Sequence, residues 1–201
     1  MSESVNILID ELPQTVFIDN AEYPISTNFR TFILYEMLLS DRTISDRDKM
    51  EEMINLFFPE ERPERITESV IDAIIDFYRC GKQETRKQKA VKKTIKNKKK
   101  VYDFEYDDAF IYSAFVSAYN IDLNEIDYLH WWKFKALFNG LPSDCEFVKI
   151  MGYRSAEPSE IKDNKERSRI LKLQALYALP ENLTIEEKAA KFGAILGGGI
   201  R

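Results

Sequence analysis

The sequence holds one histidine, two cysteines and seven glycines in 201 residues, and each scarcity removes a class of chemistry. Zinc-type sites need His and Cys in clusters, whereas His130, Cys80 and Cys145 lie far apart in the chain. A Ser-His-Asp or Cys-His relay would have to run through His130, which sits among aromatic residues and so reads as structural. There is no GxxxxGKS phosphate loop and no GxGxxG after a strand. Gly197, Gly198 and Gly199 have no helix after them to complete a phosphate cradle. Acidic pairs such as Asp107 and Asp108 read as helix-start residues that face the positive end of the dipole rather than as cation ligands. No catalytic, cofactor-binding or metal-ligating residue is therefore assigned. No apolar run approaches the roughly 20 residues needed to cross a bilayer. The opening MSESVNILIDEL lacks a basic region followed by an apolar block, so no secretory signal is expected. Two cysteines fit free thiols in a reducing compartment.

What is present is unevenly distributed charge. Residues 82–100 carry ten lysines and arginines against Glu84, a net +9, which leaves −14 on the rest of a chain whose total is −5. Only Ala90, Val91 and Ile95 are apolar there, too few to build a core, so the segment reads as a solvated linker between two units, residues 1–81 and 101–201. Its charge is suited to phosphates. The absence of interleaved aromatics argues against stacking on single strands, and overall acidity argues against a dedicated nucleic-acid binder. No repeat of fixed period is visible.

Periodicity predicts a mainly α chain with an N-terminal β-hairpin (α+β) and a bundle-like helical C-terminal half. Val5–Leu8 reads as a short strand. Thr15–Ile18 and Ala21–Ile25 flank Asp19-Asn20, a pair that tolerates a tight turn. Three helices follow: one capped by Ser26, Thr27 or Asn28 with Phe29, Ile33 and Met37 on its face; one capped by Ser45; and one opened by Thr67 with Val70, Ile74 and Phe77 buried and Gly81 as its stop. Beyond the linker, Ile111, Ala114, Phe115 and Ala118 mark a helix stopped at Asn120. The stretch IDYLHWWKFKALFNGL, Ile126–Leu141, reads as the central helix, with Asp122 and Glu125 as its capping box and Leu129, Trp132, Ala136 and Leu137 beside Trp131, Phe134 and Phe138 as a wide apolar stripe. Capping boxes at Ser143/Glu146, Asp163/Glu166 and Thr184/Glu187 open three more helices, the last through Ala189, Phe192 and Ile195 before a Gly-rich end.

Several stretches together resemble a known family: YPISTNFR at Tyr23, FYRCGK at Phe77, YDFEYDDAFIYSAF at Tyr102, YNIDL at Tyr119, LHWWKFKALFNGL at Leu129 and FVKIMGYRS at Phe147. This is similar to the bacteriophage gene-product-fifteen family of long-tailed phages and prophages of Gram-positive bacteria. The likeness covers most of residues 15–178 and is strongest from Tyr102 to Ser155. It implies a non-catalytic tail assembly chaperone of the host bacterial cytoplasm, which binds the tape-measure protein while tail tube protein polymerises. Self-association is a further option. The resemblance carries no catalytic motif. The partner-binding residues expected from the apolar pattern are Trp131, Trp132, Phe134 and Phe138, as floor or rim of a groove beside the Asp108–Tyr119 helix with at most two of them exposed, and Phe192 and Ile195 in the C-terminal tail. The alternatives are a nucleic-acid-binding module acting through residues 82–100, and a minor structural tail protein.

Overall fold

The structure is a computed structural model that describes residues 5–82 and 100–180. Among these residues the order is β1 (Thr15–Ile18), β2 (Ala21–Pro24), α1 (Phe29–Ser40), α2 (Asp46–Phe57), α3 (Glu68–Tyr78), α4 (Asp108–Tyr119), α5 (Trp131–Asn139), α6 (Glu146–Ser155), a short 3-10 turn at Pro158–Glu160, and α7 (Asn164–Leu176). The class is mainly α with a two-stranded antiparallel hairpin at the N-terminus. The chain from Thr184 onward and the basic segment between Lys82 and Lys100 lie outside the described residues.

Local chemistry explains most element boundaries. Asp19 and Asn20 take φ of 49° and 68°, the left-handed pair that lets a two-residue turn match the twist of its strands. Pro24 sits at the strand end, opposite Thr15, where its missing N–H costs no inner ladder bond. Side chains of Asn28, Ser45 and Asp163 accept from the backbone N–H groups of Arg30, Asp48 and Glu166 and so cap α1, α2 and α7. Asn120 ends α4 in the left-handed conformation at φ 53°.

Four local expectations need correction. Val5–Leu8 is a turn rather than a strand, because Asn6 and Asp10 take up its N–H groups: Asp10 Oδ2 accepts from Asn6 N at 2.7 Å and Asn6 Oδ1 from Leu8 N at 3.0 Å. On α1 the buried residues are Phe29, Phe32 and Tyr35, while Ile33 and Met37 are half-exposed. The N-cap of α6 is Cys145, not Ser143. The central helix starts at Trp131, five residues later than Ile126. Asp122 caps only a turn, accepting from Asn124 N at 2.8 Å and Glu125 N at 3.2 Å. The Arg30 guanidinium then donates to the Leu123 and Ile126 carbonyls, both at 2.8 Å, and those oxygens are lost to any helix.

One continuous core runs through both sequence halves, so residues 1–81 and 101–180 do not hold separate cores. A short antiparallel bridge joins them at Asn28 and His130, with Trp131 N donating to Thr27 O at 2.7 Å and Phe29 N to Leu129 O at 2.9 Å. Phe134 stands at the centre, stacked on Phe29 at 5.0 Å, Phe115 at 5.1 Å and Trp131 at 5.7 Å, and Trp131 in turn stacks on Phe32 at 5.0 Å. Offset aromatic pairs at these separations add to the burial of their area. Both indoles also serve α3: Trp131 Nε1 donates to the Tyr78 carbonyl at 3.0 Å and Trp132 Nε1 to the Phe77 carbonyl at 2.8 Å. Two carbonyls at the C-terminus of α3 thereby gain a partner inside the core, and the Phe77 oxygen accepts from Cys80 N at 2.8 Å as well.

Candidate functional site

The four aromatics expected to line a partner groove do not line one. Trp131, Trp132, Phe134 and Phe138 are between 1% and 8% exposed, and the space expected between α4 and α5 is closed by the Phe115–Phe134 stack with its rings 9° from parallel. These residues hold the molecule together. Phe192 and Ile195 lie outside the described residues.

An open groove does exist, on the other side of α1. It has a volume of about 1100 Å³ and is walled by the second half of α1, the α1–α2 turn, α2, residues 100–106, and the chain leaving α7 at Ala178, Leu179 and Pro180. Its apolar lining is Leu34, Met37 and Leu38 from α1, Ile44 from the turn, Leu56 from α2 and Tyr106, and Lys100, Asp103, Arg154 and Gln174 line it as well. Leu34 is 50% and Tyr106 55% exposed. The geometry follows from how α1 is used. Phe29, Phe32 and Tyr35 face the core, so Leu34 and Leu38, on a neighbouring face of the same helix, are turned into the groove.

The groove is built on two polar ties. The first is a buried ion pair at its base. Asp107 and Arg154 are joined by two bonds of 2.6 and 2.9 Å, and Arg154 also donates to the carbonyls of Val101 at 3.0 Å and Tyr177 at 2.6 Å. Asp107 Oδ2 further accepts from Asp103 N at 2.9 Å. A bidentate pair with its remaining donors satisfied is the arrangement that tolerates burial. It fixes the start of α4, the end of α6, the end of α7 and residues 101–103 in one place. The second tie is Lys100, which donates to Ser40 Oγ at 2.7 Å and pairs with Asp103. Burial pushes the Asp103 carboxyl up, but the Lys100 ammonium and the N–H groups of Glu105 and Tyr106 outweigh it and hold the acid below the usual range. Glu52 and Glu105 stand exposed at the edges. A trough with one apolar side and exposed acids at its edges has the shape that accepts one face of an amphipathic helix.

His130 is the N-cap of α5. Its Nδ1 accepts from Trp132 N and its Nε2 donates to the Pro13 carbonyl, each at 3.1 Å. This arrangement requires the neutral ring, and burial, with Lys133 adding to it, holds the imidazole below its ordinary range despite the Pro13 bond. Cys80 and Cys145 are free and half-buried, and burial raises the Cys80 thiol against the opposing pull of Lys135 and Lys82. Among the described residues no group of His, Cys, Asp and Glu is placed to hold a metal ion, and no helix is long and apolar enough to cross a membrane.

Sequence reasoning missed the groove because its walls come from five separate stretches. The one local signal was on α1, where Leu34 and Leu38 lie off the core-facing stripe in a helix with apolar residues on more than one side. Among curated proteins and among solved structures nothing matches this chain. The profile of one protein family, described as Bacteriophage Gp15 protein, matches residues 8–179. That span runs from the N-terminal turn to the lip of the groove and takes in every element of the described residues, so this chain is a phage protein and belongs to the Bacteriophage Gp15 family.

Proposed function

We propose that the chain is a phage tail assembly chaperone. It works in the host cytoplasm without catalysis, holding an apolar-striped helix of the tape-measure protein while the tail tube protein polymerises around it. The observation that carries this reading is the groove of Leu34, Leu38, Ile44 and Tyr106 under an acidic rim, on a member of a phage family. A long helix with an apolar stripe aggregates when bare. A shallow trough covers a few turns of it and releases it again, since affinity comes from limited apolar area rather than from a closed pocket. The acidic rim favours clients with lysine or arginine beside the stripe and speeds their capture.

The test is co-expression with the tape-measure protein of the same phage. The intact chain is expected to keep that partner soluble and to be captured with it. Leu34→Asp is expected to abolish both while leaving the fold intact, because Leu34 is exposed and outside the core. Failure of the intact chain to solubilise or capture the partner overturns the reading. Tail particles purified from the phage should lack the chain; its retention would make it a minor structural tail protein instead. The +9 segment, residues 82–100, supports a second reading as a nucleic-acid-binding module. That reading requires a salt-sensitive mobility shift with DNA or RNA that is lost when its lysines become glutamines.

A further inference from the structure

We propose that a second copy of this chain covers the groove. Helix α7 of each copy lies in the groove of the other, so two copies form a two-fold dimer with both grooves closed. The dimer does not depend on the groove being a client site. Its helical half follows from how α7 is held. Ile170 is buried, and Gln174 donates to the Tyr153 and Ala156 carbonyls at 2.9 and 2.8 Å. These contacts fix the roll of the helix and turn its other side outward. Leu171 is 50% exposed there, with exposed Ser168 and Ala175 on the same face at i−3 and i+4. Leu176, 72% exposed, lies further round at the end of the helix. Apolar surface of this kind is seldom left bare, and Leu34 and Tyr106 in the groove are equally uncovered.

Charge pairs the two surfaces. Helix α7 carries four basic residues against Glu166, a net +3, whereas the groove lining carries four acids and two bases, a net −2. Lys165 and Lys172 stand exposed beside the stripe, as do Glu52 and Glu105 at the groove edges. Among the described residues none of these four has an ion-pair partner. An apolar stripe flanked by lysines thus faces outward on the same molecule as a trough edged by acids, the complementarity that fixes partner and register. Helix α7 cannot enter its own groove, because Gln174 on it and Ala178 and Leu179 after it already form one wall. Leu171 lies one turn from Gln174, so stripe and groove adjoin on one surface. A single two-fold rotation brings two adjoining, complementary surfaces into contact twice. The doubling matters, since specific associations bury about 1,200 Å² or more in total and a helix of 13 residues reaches only about 20 Å.

Sedimentation velocity on the full chain tests the dimer. Apparent mass is expected to rise with concentration from that of one chain to that of two, and to stop there. Leu34→Asp in the groove and Leu171→Asp on α7 should each weaken association about tenfold or more. Both residues are half-exposed, and circular dichroism checks that each variant keeps its helices. A mixture of the two variants should regain part of the association, because α7 of the first meets the groove of the second with both surfaces intact. Glu52→Lys/Glu105→Lys and Lys165→Glu/Lys172→Glu should each weaken the dimer, and the chain carrying all four changes should recover it. A single-chain mass at every concentration overturns the proposal, as does growth beyond two chains. Weakening by only one of the two aspartate variants also overturns it, because the contact would then be groove on groove or helix on helix. Failure of the mixture to associate does the same. Capture of the tape-measure protein is a separate readout. A dimer that captures no client leaves this interface standing and removes the chaperone reading. A monomer that captures the client through Leu34 does the reverse.

Discussion

At the scale of single residues, the pairing of Asp107 with Arg154 ties together the start of α4, the end of α6, the end of α7 and residues 101–103. Taking Arg154 to Met leaves a carboxylate that is 1% exposed without its counter-charge. That loss is expected to cost about 3–5 kcal/mol, measured by urea unfolding. Replacing both members with apolar residues of similar volume should recover much of it, because no bare charge remains. His130 makes a pH-dependent contribution whose sign is fixed by its hydrogen bonds. Its folded pKa lies below the ordinary 6.5, so the unfolded chain binds a proton first as pH falls. The stability it lends is complete above about pH 6.5 and declines as pH drops from there toward the folded pKa. His130→Asn keeps a capping acceptor without a titrating ring. Unfolding free energies measured from pH 7.5 to 5 should decline less steeply in that variant than in the parent. A steeper decline in the variant would mean that the ring does not act as a neutral cap.

At the scale of elements, α3 and α5 are coupled through the two indoles. Trp132→Phe keeps an aromatic ring but removes the donor to the Phe77 carbonyl; that oxygen still accepts from Cys80 N at 2.8 Å, so the loss of one bond is expected to cost about 0.5–1.5 kcal/mol, measured by urea unfolding. Gly81, at φ +63°, lies where an added Cβ would come within 3.2 Å of Trp132 Cη2. The left-handed backbone alone charges an alanine about 1–2 kcal/mol there, so Gly81→Ala should lower the urea midpoint comparably. Elements were legible in the sequence wherever their signals were local. Asp19-Asn20 specified the turn, Ser45 and Asp163 specified the starts of helices, and Val70, Ile74 and Phe77 marked the buried face of α3. Legibility failed where a partner distant in sequence decided the outcome. Asp122 has a good cap pattern, yet Arg30, more than ninety positions earlier, draws the following carbonyls out of helical pairing. Asp107 reads as one more helix-start acid until Arg154 is seen beside it. The same limit applied to the site. Aromatic density identified core residues rather than exposed ones, because large rings are what a core of this size is built from. The groove depended on which flank of α1 was left uncovered.

At the scale of the whole molecule, a shared core predicts shared unfolding. Far-ultraviolet circular dichroism and tryptophan emission should report a single coincident transition in urea. Residues 1–82 and 100–201, produced separately, should each be largely unstructured, since Phe32 would lose Trp131 and Phe29 would lose Phe134. Mixed together, they should regain helix content. Independent folding of either fragment, seen as dispersed amide resonances, would refute the single core.

The two tryptophans are the only ones in the chain, and both are committed to the contact between α3 and α5. Nature has thereby placed the protein's own lamps at the joint between its early and late sequence. Their colour in solution, blue when the indoles are dry and red when water reaches them, tells an observer whether that joint is closed, with no label attached and no other emitter of this kind to confuse the signal.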